Sequence, residues 1–149
     1  MNILVATDGS ESAIDAARRS MDLLRPGAHV VVVAVIPKYV DPIEDARGPE
    51  GPATGYKEAD PDWKEVKARG QAALDRTASV LGPEAEVRLV PDDERAGKVI
   101  VRVASEMKAD VLVVGSSSKG WLSLLFGVSV SDYVGQHAPC PVLLVRHDH

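Results

Sequence analysis

The sequence predicts an α/β protein built on a five-stranded parallel sheet with helices on both faces. Three observations carry that expectation. Short apolar runs alternate with amphipathic stretches of helical period along the chain. The longest apolar run, residues 30–36, is almost wholly β-branched, as in a strand covered on both faces. Glycine, proline and small polar residues sit at the junctions between these stretches. The resulting order, β-α-β-α-β-α-β-α-β, implies parallel strands joined by right-handed crossovers.

The elements follow in order. Residues 3–6 (Ile-Leu-Val-Ala) form the first strand, and Thr7-Asp8-Gly9-Ser10 turns the chain. Ala13, Ile14, Ala17, Met21 and Leu24 recur at helical spacing up to Pro26-Gly27. Asp8 or Ser10 caps this helix, and Asp8 with Glu11 has the spacing of a capping box. Residues 30–36 are the second strand. Trp63, Val66, Ala73, Leu74, Thr77 and Leu81 mark the next helix, and residues 86–90 the third strand. Val99, Ile100, Val103, Ala104 and Met107 mark a helix before the fourth strand, 111–114, which ends at Gly115. A last helix spans 130–137, with Ser129 as N-cap and Asp132 in its first turn. Pro139 stops it before the fifth strand, 141–145.

A length of 149 residues predicts one domain, spanning 1–149, large enough to bury a core without metal or disulfide staples. Seventeen Lys+Arg against 22 Asp+Glu leave a net charge of −5, which argues against a general nucleic-acid binder. The longest apolar run is seven residues, too short for a membrane-spanning helix. No signal-peptide pattern is visible and Cys140 is the one cysteine, so the expected location is the cytoplasm. Residues 37–62 do not fit a minimal unit. They hold five of the ten prolines and seven acidic against three basic residues. They read as a long solvated loop, either a tolerated surface insertion or a lid over the end of the second strand.

Two strand-end turns carry the chemistry. Ala6-Thr7-Asp8-Gly9-Ser10 follows strand one, and Gly115-Ser116-Ser117-Ser118-Lys119-Gly120 follows strand four. With strand order 3-2-1-4-5, strands one and four are neighbours at the point where the order reverses, so both turns face one crevice. A Gly/Ser-rich turn offers backbone N–H groups and hydroxyls with little bulk. Lys119 supplies a positive charge, and the last helix adds the positive end of its dipole near Ser129. Together these suit a phosphate. The alternative is that small residues and caps are merely what any strand-to-helix turn needs.

The sequence resembles the universal stress protein family. The resemblance lies in Val-Ala-Thr-Asp-Gly-Ser at 5–10, in residues 109–116 running to Leu124-Leu125-Phe126-Gly127, and in residues 129–134 running into His137-Ala138-Pro139-Cys140-Pro141 and the final strand. It covers essentially the whole chain. It implies a Rossmann-like fold, also described as adenine nucleotide alpha-hydrolase-like, with sheet order 3-2-1-4-5. It also implies a homodimer paired through strand 141–145. The ATP-binding branch of the family carries Gly-x-x-Gly, nine residues, then Gly-Ser or Gly-Thr. Gly115 matches the first glycine, and residues 119–127 are the nine. Ser118 and Val128 stand where the second and third glycines belong, and Ser129 keeps the hydroxyl. Asp8 matches the acidic residue that contacts the nucleoside, and Val35 the position whose backbone reads adenine.

The implied site has Asp8 and the Val35 backbone for the nucleoside and Gly115, Ser116, Ser118, Lys119 and Ser129 for the phosphates, with Ala6, Thr7, Val128 and Val130 as further binding residues. The implied ligand is ATP, with Mg2+ riding on the phosphates and water. Ser118 offers a hydroxyl in place of a glycine. Val128 is the larger departure, because a β-branched side chain resists positive φ and occupies space that a glycine leaves open.

The function implied is a nucleotide-binding stress or regulatory protein, with at most slow ATP hydrolysis. The alternative is a dimeric interaction module of the same family that binds no nucleotide. A response-regulator domain would need a group of acidic residues at strand one, where Asp8 stands alone. Gly97-Lys98 is not a phosphate-binding loop, since Val99 occupies the Ser/Thr position. Asp92, Asp93 and Glu94 read as a solvated turn. Cys140 reads as a structural thiol, His147 and His149 as an exposed tail. Trp121, Leu122, Leu124, Leu125 and Phe126 read as a patch packed on the sheet.

Overall fold

The computed structural model of the chain describes residues 1–37, 61–92, 94–115 and 130–146. In chain order the elements are β1 (Asn2–Ala6), α1 (Glu11–Leu23), β2 (His29–Pro37), α2 (Pro61–Leu81), β3 (Glu86–Asp92), α3 (Ala96–Glu106), β4 (Val111–Gly115), α4 (Val130–His137) and β5 (Val142–Val145). The strands form one parallel sheet of order β3-β2-β1-β4-β5, as expected. The order reverses between β1 and β4, which pair from Ile3↔Val111 to Val5↔Val113.

Strand alternation splits the core into two layers. Leu4, Ala6, Val31, Val33, Val35, Leu112 and Val114 pack against α3 and α4 through Val99, Ile100, Val103 and Val134. Ile3, Val5, Val32, Ala34 and Val113 pack on the other face against Ala16 and Ala17 of α1 and Leu74 of α2. The uninterrupted valines of β2 follow from this arrangement, since both faces of the strand are covered and Val31 through Ile36 are all buried.

Several boundaries differ from the sequence-based expectation. Ser10 alone is the N-cap of α1, its Oγ accepting from the Ala13 N–H at 3.1 Å. Asp8 does not form the capping box. Its Oδ1 accepts from the Ser10 N–H at 2.9 Å, because the positive φ of Gly9 (78°) turns the chain between Asp8 and the helix. β2 reaches Pro37 and α2 begins at Pro61, so both ends of the expected 37–62 loop belong to regular elements. Residues 38–60 lie outside the described residues.

β3 extends to Asp92, with Ile36↔Pro91 and Pro37↔Asp92 in register. A proline is tolerated there because β3 is an edge strand. Asp92 is consequently not in a solvated turn. It is 9% exposed and accepts from Arg102 Nη2 at 2.7 Å and from the Glu94 N–H at 3.0 Å. The α3 guanidinium compensates a carboxylate that would otherwise be costly to bury.

Candidate functional site

The crevice at the carboxyl ends of the strands is built around the turn that leaves β1. Thr7 continues the β1 ladder by one bond, its N–H donating to the Val33 carbonyl at 2.9 Å. Its side chain points toward α2 and is buried. Thr7 Oγ1 lies 2.7 Å from Thr77 Oγ1 and accepts from the Gly9 N–H at 3.1 Å. Thr77 Oγ1 in turn donates to the Ala73 carbonyl at 2.8 Å. Since the Thr77 proton is committed to Ala73, Thr7 is the donor in the hydroxyl pair. The Thr7 hydroxyl is thus fully used within the protein, and what Thr7 presents to the crevice is backbone.

Asp8 is partly buried at the strand end. Oδ1 is held by the Ser10 N–H, which leaves Oδ2 as the second acceptor of the carboxylate. Ala6 is the last residue of β1 and pairs in register with Val33. Extending that register by two residues sets Asp8 opposite Val35. The Val35 side chain is buried in the core layer of α3 and α4. Because β2 alternates, the backbone of Val35 points along the same edge as that of Val33, whose carbonyl is taken by Thr7. β1 has ended at that level, so the β1 ladder does not continue along this edge of Val35, which is buried.

Gly115 closes β4, opposite Val145 of β5. A Cβ there would lie 3.0 Å from Ser12 Oγ and 3.1 Å from the Ser12 carbonyl oxygen. The glycine lets the start of α1 sit directly on the end of β4. Val130 is the first residue of α4 and packs on the core beneath it. α4 is seated by Tyr133, whose Cβ would be 3.0 Å from a Cβ at Gly97 of α3. Tyr133 also stacks on His137 at 4.1 Å between ring centroids. Ser116, Ser118, Lys119, Val128 and Ser129 lie outside the described residues, as do Asp93, the 121–126 patch and His147 and His149. The structure therefore brings together Ala6, Thr7, Asp8 and Val35 at the β1–β2 side, with Gly115 ending the adjacent strand β4.

Sequence reasoning missed the α2 residues that hold this turn. Ala73 packs against Gly9, Arg76 Nη1 donates to the Gly9 carbonyl at 3.0 Å, and Thr77 meets Thr7. The available signal was a threonine on the apolar stripe of a helix, read only as core. Cys140 is partly buried, and burial first, then the charge of Asp110, push its thiol above the usual range. That disfavours a nucleophilic thiolate. Among the described residues no group of three or more His, Cys, Asp and Glu is placed to hold a metal ion. No helix among them is long and apolar enough to cross a membrane.

Sheet order, layer packing and the crevice at the β1/β4 reversal define a doubly wound α/β protein of the kind that takes ligands at strand ends. The model of the universal stress protein family matches residues 1–146. A universal stress protein of Thermus aquaticus is 31% identical over 97% of this chain and 97% of its own length. One from Methanocaldococcus jannaschii is 30% identical over 97% and 81%. The chain belongs to the universal stress protein family. Among solved structures, a family member from Burkholderia pseudomallei matches with a TM-score of 0.66 at 26% identity, covering 97% of this chain and 94% of that one. A universal stress protein in complex with cAMP matches at 0.64 and 24%, over 97% and 96%. The Archaeoglobus fulgidus protein in complex with dAMP matches at 0.63 and 22%, over 97% and 96%. The last two establish likeness of fold.

Proposed function

We propose that this protein binds an adenine nucleotide, ATP with Mg2+, in the crevice at the ends of β1, β2 and β4, and serves a stress-response or regulatory role in the cytoplasm. The observation that carries the reading is the pairing of Asp8 with the Val35 edge. A carboxylate with one oxygen fixed and one open stands in register with a strand edge that has lost its neighbour. A carboxylate acceptor suits ribose hydroxyls, and a backbone edge beyond the end of β1 suits the donor and acceptor of an adenine rim. These residues fit a nucleoside. Proteins of the same fold have been solved in complex with cAMP and with dAMP, which supports an adenine nucleotide as the ligand class.

The phosphates are assigned to Gly115, Ser116, Ser118, Lys119, Val128, Ser129 and Val130 on the strength of the sequence motif. Mg2+ would be carried by those phosphates and water. The protein's own part is to bind and orient. Slow hydrolysis is the most the reading assigns, since Asp8 belongs to the nucleoside end. Mass spectrometry of ligand released from freshly purified, unsupplemented protein tests the proposal. Adenine nucleotide in the released fraction supports it. Protein that releases none and takes up none when ATP is added returns the alternative of a ligand-free module.

We also propose a homodimer through residues 141–145. Among the described residues β5 is an edge strand paired to β4 alone, and Leu144 on it is 48% exposed. An uncovered apolar edge invites pairing with a second chain. A monomeric mass by light scattering at about 10–100 μM, a range in which a micromolar dimer is populated, overturns this part.

A further inference from the structure

Asp8 is flanked by two residues that α2 grips separately. Ala73, Arg76 and Thr77 follow helical spacing and so form one stripe on α2. Ala73 packs on Gly9 so closely that a Cβ at Gly9 would come within 2.8 Å of Ala73 Cβ. Arg76 takes the Gly9 carbonyl at 3.0 Å, and Thr77 takes the Thr7 hydroxyl at 2.7 Å. The last contact belongs to a directed chain: Gly9 N–H to Thr7 Oγ1, Thr7 to Thr77, Thr77 to the Ala73 carbonyl. Thr77 is fully buried, and its proton direction leaves Thr7 no other donor role. Removing the Thr77 hydroxyl leaves the Thr7 proton, itself buried, without that acceptor.

We propose that Thr77, with Ala73 and Arg76, is a positioning residue for nucleotide binding: it holds the turn from both sides of Asp8, so that Oδ2 meets the nucleoside without a search. The proposal rests on the nucleotide reading above. None of the three needs to touch the ligand. The effect is expected at the nucleoside end, because the stripe's contacts with this turn are to Thr7 and Gly9, the two neighbours of Asp8. Residues of this kind act by removing the ordering cost that binding would otherwise carry.

The test uses the full chain with Thr77→Val, which keeps the shape and deletes the hydroxyl, and Thr77→Ser, which restores it. Adenosine, ATP and inorganic tripolyphosphate are titrated calorimetrically, and amide exchange is followed at Gly9 and Ser10. Thr77→Val is expected to weaken adenosine and ATP alike by about tenfold, the order of the cost of immobilising a released group on binding. Tripolyphosphate is expected to be unaffected, the Gly9 and Ser10 amides to exchange faster, and Thr77→Ser to return within about twofold of wild type. Arg76→Ala, at an exposed side chain, provides a second variant if Thr77→Val does not fold, and it too should weaken adenosine but not tripolyphosphate. Undiminished adenosine affinity in a folded variant overturns the proposal while wild-type binding keeps the nucleotide reading intact. Wild-type protein that binds neither adenosine nor ATP overturns the nucleotide reading instead, and unchanged exchange at Gly9 and Ser10 in Thr77→Val then also removes the positioning role.

Discussion

The two strand ends that meet at the crevice each depend on a glycine, for different reasons. Gly9, after β1, has a φ of 78° and lies against the α2 backbone at Ala73. It is fixed both by backbone conformation and by space. Gly115, at the end of β4, is not among the positive-φ residues, and among the described residues it is the closeness of Ser12 that favours a glycine there. The motif reading assigns Gly115 to the phosphates. The structure adds that a helix already demands a glycine there, whatever binds. A glycine at a strand end is thus ambiguous until its neighbours are known. The carboxylate beside Gly9 is the more informative signal, because packing does not explain its open oxygen.

The largest expected effect is at Gly9. Gly9→Ala combines left-handed strain with overpacking against Ala73, and should cost about 2–4 kcal/mol of stability in a urea melt. A loss below about 1 kcal/mol would mean that the turn relaxes freely, and the contrast with Gly115 would collapse. Asp8→Ala comes next. ATP affinity should fall by about 1–3 kcal/mol, with the loss shared by adenosine. Stability should change by less than about 1 kcal/mol, because Ser10 rather than Asp8 caps α1. Unchanged affinity in a folded protein would reduce Asp8 to a turn residue.

What was legible in the sequence divides along the same line. The succession of strands and helices followed from period and punctuation, and burial of β2 on both faces leaves an unbroken valine run, while the sheet order came with the family resemblance. Asp8 and Val35 were legible as positions through the family resemblance. The turn's anchoring was not. Thr77 meets Thr7 across 70 residues, and nothing local in either segment encodes that contact. The role of Asp92 was also hidden, since an acidic run looks solvated until Arg102 is found packed over it. Thr7 was read as part of the site by its place beside Asp8, while its side chain is turned to the opposite face of the sheet.

Val128→Gly sharpens the β4 side. Val128 occupies the third glycine position of the motif, two residues before α4 begins. If its side chain and φ preference limit phosphate binding, the glycine variant should bind ATP about 1–2 kcal/mol more tightly while adenosine does not respond. It should also lose about 0.5–1 kcal/mol of stability through chain entropy. Equal ATP affinity would mean the valine is accommodated. The smallest effect is expected of Gly115→Ala, where an ordinary backbone conformation leaves only a tight contact. A cost of about 1 kcal/mol in the same urea melt fits that view. A loss as large as that of Gly9→Ala would show that the two glycines are under the same constraint.

The central claim, that the β1–β2–β4 crevice holds an adenine nucleotide, is met most directly by calorimetric titration of ATP into protein stripped of any bound ligand. The account predicts saturable binding at one site per chain, displaced by adenosine. No saturable heat up to about 1 mM ATP, a concentration that half-fills even a millimolar site, would contradict it.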